Sequence, residues 1–345
     1  MVFFCFLLVL NCETKQGISN LKVNYKEDNT ALSVSFIANN TEDLSIHLKD
    51  NSTAILGSFY SDKKTKTFTP IIPFTNGETY AIKKNKSIVL SFAIKSKVKT
   101  EAPQLLNIYP TVNEVPENLL KMYFEFSKPM QEVGSTLDFI QVFNKTTNKK
   151  VDIFLELETE LWNKSHTILT LWLDPGRIKK DLIPNKEKGL PIVKGHEYEI
   201  KINALFRDAN GSNLDKDYLK TFTVIEADKN KPSIDNWNVI TSIATNHDIK
   251  IEFNEPLDAI LLQETIKIYD VSNNVIDAKM MLSNNQKSIE LKHTNGLKGG
   301  KYKVRIESRL EDLAGNNLNR LFDEDLQSNK PKDTSAIKEI SFIIK

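Results

Sequence analysis

The residues of this chain whose types could do chemistry are thinly spread. Five histidines, His47, His166, His196, His247 and His293, stand alone, with no i, i+2 or i, i+4 partner of the kind that captures a metal ion. A hydrolase needs a nucleophile, a base and oxyanion donors, and none of the local patterns that announce them occurs: no G-x-S-x-G, H-E-x-x-H, Walker loop or C-x-x-C. No catalysis and no cofactor is expected. Two segments keep enough polar groups together to matter. An acidic turn holds Asp208, Asn210, Asn213, Asp215 and Asp217. Asp208, Asn210 and Asp215 form a candidate calcium set, because that ion favours several oxygens close together, yet the EF-hand spacing is lacking and a structural turn explains the same residues. The other segment carries Trp172, Asp174 and Arg177. These could form part of a site for a carboxylate or a sugar, or Asp174 and Arg177 could pair across a turn while Trp172 packs at a sheet edge.

Both cysteines, Cys5 and Cys12, fall in the first dozen residues, so the body of the chain has neither a disulfide nor a thiol nucleophile. Val2 to Leu10 is an unbroken apolar run, too short to span a bilayer and suited to the apolar region of an export signal. It ends Val9, Leu10, Asn11, Cys12, which resembles a bacterial lipobox with Cys12 as the lipidated residue. A plain secretory signal is the alternative, and the absence of Lys or Arg before the run leaves open a start upstream of Met1. The expected location is the cell envelope, as an outer-membrane lipoprotein whose body stands on the short polar tether that follows Cys12.

The net charge of +1, with 46 basic against 45 acidic residues, removes the footprint of a nucleic-acid binder. Apolar residues at 40% and charged residues at 26% indicate a folded body.

What must position the polar segments is a repeated pattern. Met122-Tyr-Phe-Glu-Phe-Ser-Lys-Pro-Met130 aligns without a gap on Ile249-Lys-Ile-Glu-Phe-Asn-Glu-Pro-Leu257. In each, alternate residues point to a core while Glu125 or Glu252 points to water, and the proline marks where pairing stops. A G-x-x-Y step recurs at Gly195–Tyr198 and Gly299–Tyr302, and ten residues after each Tyr comes D-x-x-G-x-N-L, at Asp208 and at Asp312. Asp accepts backbone hydrogen bonds in such a turn and Gly takes the positive φ. A shorter relative spans residues 20 to 95, with Leu32/Val34/Phe36, the step Gly77–Tyr80 and no D-x-x-G-x-N-L turn. Phe126 and Tyr198 stand 72 positions apart, Phe253 and Tyr302 only 49, so the middle unit carries a long loop insertion after Leu173. Loops at sandwich ends are where binding residues are usually kept.

Alternating strands between turns, with almost no helical period, give an all-β chain of consecutive antiparallel β-sandwich modules. The expected boundaries are 1–19 for the leader and tether, then modules at 20–100, 101–228 and 229–345. The E-F-S-K-P-M and E-F-N-E-P-L strands, the G-x-x-Y strand and the D-x-x-G turn resemble bacterial immunoglobulin-like modules of SbsA type, found in S-layer and surface proteins, and in style the surface lipoproteins of Bacteroidetes-type bacteria. That resemblance implies a non-catalytic spacer and protein-interaction or adhesion surface in the envelope, with an envelope protein or glycan as partner, the membrane reached through the lipid, and no nucleic acid. A glycan-binding lipoprotein of a polysaccharide-uptake system, which would need two or more exposed aromatics on one face, is the alternative, and an accessory piece of a hydrolase is the third reading.

Overall fold

These alternations close into three sandwiches in a computed structural model that describes residues 17–344 apart from 27–29, 40, 96–100, 180–181, 243–247, 284, 294–296 and 324–332. The leader with Cys5 and Cys12, and His247, lie outside the described residues. No helix among the described residues is long and apolar enough to cross a membrane.

The first module packs the sheet Ser19–Tyr25, Ala31–Ile37, Thr65–Pro70, Gly57–Asp62 against the sheet Leu44–Leu48, Thr79–Lys84, Ser87–Ala93. In the second, Leu161–Trp162, Ile168–Trp172, Lys121–Phe126 and Leu105–Tyr109 face Lys149–Lys150, Ile140–Asn144, Glu197–Ile202, Tyr218–Ile225 and Glu114–Pro116. The third sets Asn238–Ser242, Asp248–Glu252, Ser288–Lys292 and Lys279–Leu282 against Val275–Ile276, Ile266–Asp270, Gly300–Glu307 and Ile337–Ile344. Each module has its own core, and all three are immunoglobulin-like sandwiches, antiparallel throughout except where Glu114–Pro116 runs parallel to Tyr218–Ile225.

The repeated strand shows why these residues fold so. Met122, Phe124 and Phe126 are buried, as are Ile249, Ile251 and Phe253. Each such side chain contributes roughly 1.5–3 kcal/mol by leaving water. Past Pro129 and Pro256 the chain still makes one bridge, Met130 to Asp208 and Leu257 to Asp312, so the two signature segments meet in both modules. The other face of the strand departs from expectation. Glu125 is half-buried and accepts from Asn107 at 2.8 Å and from the Tyr109 hydroxyl at 3.0 Å. Tyr123 is buried, because the third module covers it.

Helices are few and short. Ala259–Thr265 forms because Asp258 accepts from the N–H groups of Ile260 and Leu261, a side-chain N-cap.

A hydroxyl-to-backbone bond recurs in all three modules. Tyr80 accepts from the Thr75 N–H at 2.8 Å, Tyr198 from the Val193 N–H at 3.0 Å, and Tyr302 donates to the Lys298 carbonyl at 2.9 Å. Each ring also stacks on the phenylalanine directly opposite on the next strand, Phe92, Phe222 or Phe342. The G-x-x-Y step is therefore a tyrosine corner, which pins the loop to the strand it enters.

Consecutive modules touch through the D-x-x-G turns. Gly315, at φ 78°, lies against the Leu120 side chain, and Leu120 N–H donates to the Leu313 carbonyl at 3.0 Å. Gly211, at φ 84°, lies against the Asn76 main chain. Between the first two modules Arg207 also pairs with Glu78, and the Asn51 amide donates to the Val133 carbonyl.

Candidate functional site

The insertion of the second module and the linker to the third enclose a cleft of about 570 Å³. On the insertion, Asp174 accepts from the Gly176 N–H at 2.9 Å and, with Pro175 in the first turn, starts the short helix Pro175–Ile178. A second turn of helix, Ile183–Lys188, ends at Gly189, φ 68°. Ile178, Asn185 and Leu190 form one wall of the cleft, and Leu321 and Phe322 of the third module form the other. Lys179 sits over the Phe322 ring at 4.6 Å and ties the walls together.

Trp172, Asp174 and Arg177 do not line the cleft; Asp174 and Arg177 hold the insertion that walls it. Arg177 donates to three main-chain oxygens, Gly189 O, Asp152 O and Leu190 O, at 2.8–3.0 Å. Asp174 is a helix cap and makes no ion pair with Arg177. Trp172 packs against the core and carries the Lys121 ammonium 5.5 Å from its ring. Trp162 also packs on that core, and Trp237 is buried in the third module. Asp208 is buried and accepts from the N–H groups of Asn210 and Ser212 at 2.9 Å, so Asn210 offers it main chain. Asp215 is engaged elsewhere, accepting the Tyr218 hydroxyl at 2.6 Å. The described histidines are distributed over all three modules; His196 contacts Asn144 at 2.9 Å, as a turn residue does.

Asp228 lines the cleft and belongs to an acidic cluster behind it. Carboxylate oxygens of Asp228, Glu255 and Asp312 lie within 4.8 Å of one another, near enough to share one cation. Asp312 accepts from the N–H groups of Ala314 and Asn316 and from the Asn316 amide. Burial first, and then the neighbouring Asp228 and Glu255 charges, push its carboxyl up to about 8. Burial and Asp228 push Glu255 up to about 7. Asn316 links the parts: its amide also donates to Asn230 O in the linker at 3.0 Å and its oxygen accepts from Phe322 N–H at 3.0 Å.

Beside the cleft lies a second polar cluster, one that no motif announced. Lys121 reaches Asp258 at 3.0 Å and Glu311 at 2.8 Å, and the Tyr123 hydroxyl donates to Asp258 at 2.7 Å. Burial alone would push the Lys121 ammonium down, but Asp258 and Glu311 together hold it above the ordinary lysine value. The only trace in sequence is that Asp258 follows E-P-L where Gln131 follows K-P-M. These groups fix one module on the next; they include no nucleophile or base facing open space.

Several solved structures match at low identity and low TM-score. The Escherichia coli alpha-2-macroglobulin fragment spanning domains MG0-NIE-MG1 matches at 13% identity over 59% of this chain and 66% of its own, TM-score 0.25. The N-terminal part of the bacterial S-layer protein SbsC matches at 14% over 59% of this chain and 40% of its own, TM-score 0.24. The chicken CNTN1 FN1-FN3 domains match at 9% over 95% and 98%, TM-score 0.21. This chain thus spans just under two thirds of the first and under half of the second. No curated protein matches. Residues 232–335 match the family model described as the bacterial Ig-like domain, which makes this a protein that carries an Ig-like module of bacterial type.

Proposed function

We propose that this is a non-catalytic cell-envelope protein whose tandem Ig-like modules serve as a spacer and a protein-interaction or adhesion surface, held at the membrane by a lipid on Cys12. The observation that carries the reading is the junction of Lys121, Tyr123, Asp258 and Glu311, where a largely buried ion pair is completed by a hydroxyl and a helix cap. Buried ion pairs add little net stability but define one arrangement of the groups they join. A fixed junction suits a protein that holds a surface at a set distance and is of no use to modules on a loose string.

Small-angle scattering tests this, comparing the chain from residue 17 onward with its Asp258→Ala variant. A narrow distribution of lengths that broadens in the variant is expected. Equal breadth in both would remove the spacer reading. The anchor is tested separately by whether Cys12→Ser abolishes incorporation of a labelled fatty acid.

A second reading, glycan binding for polysaccharide uptake, draws on the cleft at the same junction, with its Phe322 ring and the Asn185 amide. Oligosaccharide titration lost in Phe322→Ala would favour it.

A further inference from the structure

A groove of about 400 Å³ runs between the Leu105–Tyr109 and Tyr218–Ile225 strands, which belong to opposite sheets of the second module. The Glu114–Pro116 strand covers only the far half of the Tyr218–Ile225 edge, pairing with Thr223, Val224 and Ile225. Thr223 N–H donates toward that side, to Asn113 O, whereas Val224 N–H donates the other way, to His196 O. By strand alternation Leu219 and Thr221 turn their main-chain N–H and C=O to the uncovered half of the edge. An uncovered edge is a template for an added strand.

Lys220 stands in the floor of this groove. It shares the inward row of its strand with Phe222 and Val224. Two residues before the stacked phenylalanine, where the second module has Lys220, the sister modules have Leu90 and Ile340, both packed on their cores. Among the described residues the Lys220 ammonium meets only main-chain oxygens, Val112 O at 3.3 Å and Thr111 O at 3.5 Å. Among the described residues no carboxylate pairs with it, and burial pushes it down to about 8. Of the acids of adjoining segments, Asp215 is engaged by Tyr218, Asp217 by Lys201, and Glu125 by Asn107 and Tyr109, while Glu114 is exposed on the covering strand. A cation placed inward without a counter-charge is unfavourable unless something supplies one. At the rim, Leu106 and Leu219 are exposed at 52% and 63%.

We propose that this groove docks an extended acidic segment of a protein partner, which adds as a strand along Leu219–Thr221, places a Glu or Asp carboxylate on Lys220 and lays flanking aliphatic side chains on Leu106 and Leu219. The proposal rests on the interaction-surface reading and names its site. An inward lysine also guards an edge against self-association, and the two roles differ in what they bind.

The test is anisotropy titration of the full chain into a labelled, end-blocked peptide Thr-Val-Glu-Val-Thr and into the same peptide with Gln for Glu. The Glu peptide is expected to bind saturably and about tenfold more tightly than the Gln peptide, the ratio expected of one charge-assisted contact. Lys220→Met matches the aliphatic residues of the sister modules and is expected to fold; it should bind both peptides equally and weakly. Lys220→Glu should prefer a peptide with Lys at the centre. Equal binding of the Glu and Gln peptides to the wild-type chain, binding unaffected in Lys220→Met, or no binding at all would overturn the proposal. Because the scattering experiment does not involve the groove, failure here leaves the spacer reading standing.

Discussion

The phenol of Tyr123 donates to Asp258 across the boundary between the second and third modules, at 2.7 Å, and the Lys121 ammonium reaches the same carboxylate oxygen at 3.0 Å. One buried carboxylate therefore joins a strand of one module to the first turn of a helix in the next. Removing it should be severe. Asp258→Ala leaves Lys121 with Glu311 alone, strips the helix cap and orphans the phenol, and is expected to cost about 3–5 kcal/mol in denaturant unfolding of the third module. Tyr123→Phe, which removes one hydrogen bond to a charged group, should cost about 1.5–3 kcal/mol.

Arg177→Ala offers a direct contrast between a scaffolding and a ligand-binding residue. Three carbonyls lose their donor, so the insertion should loosen and the chain should be cut by protease between Pro175 and Leu190 at lower enzyme concentration, with a stability loss of about 1–3 kcal/mol. A variant with unchanged stability and protease resistance would mean that the guanidinium is not what holds the insertion.

The tyrosine corners allow the same experiment three times. Tyr80→Phe and Tyr198→Phe each leave an N–H without its acceptor, while Tyr302→Phe leaves a carbonyl, which has a second lone pair. Thermal unfolding should show losses of about 1–2 kcal/mol for the first two and a smaller loss for the third.

Stability should depend on pH from both sides. Asp312 and Glu255 titrate near 8 and 7 when folded, above the ordinary carboxylate values of 3.8 and 4.5. The folded chain therefore holds more protons than the unfolded chain between about 4 and 8, and this contribution is lost as pH rises through that window. His166 runs the other way: burial lowers it to about 4 from 6.5, so its contribution is present above 6.5 and is lost as pH falls toward 4. Melting curves from pH 4 to 9 should show Glu255→Gln flattening the alkaline loss and His166→Gln the acid loss, each without the other.

The sequence carried the modules because burial imposes a period of two on a half-buried strand, and Met122/Phe124/Phe126 and Ile249/Ile251/Phe253 display it openly. Tyr80, Tyr198 and Tyr302 were visible as a step, though their hydroxyl bonds depend on a loop conformation that no local pattern specifies. Lys121, Tyr123 and Glu311 left no trace, since each is an ordinary strand or turn residue until another module lies on it. The same reasoning explains Arg177. Its charge and its turn suggested an anion, but the carbonyls that use it, Asp152, Gly189 and Leu190, became neighbours only through the fold.

The glycines of the two D-x-x-G turns, Gly211 and Gly315, meet different features of the preceding module, the Asn76 main chain in one case and the Leu120 side chain in the other. A Cβ would collide in both places, so the bare backbone is the contact surface. A unit built this way brings its own seat for whatever unit stands before it and asks only that some small protrusion be offered. Duplication could then lengthen or shorten the array, and so reset the distance at which its far end is presented, without inventing a new joint each time.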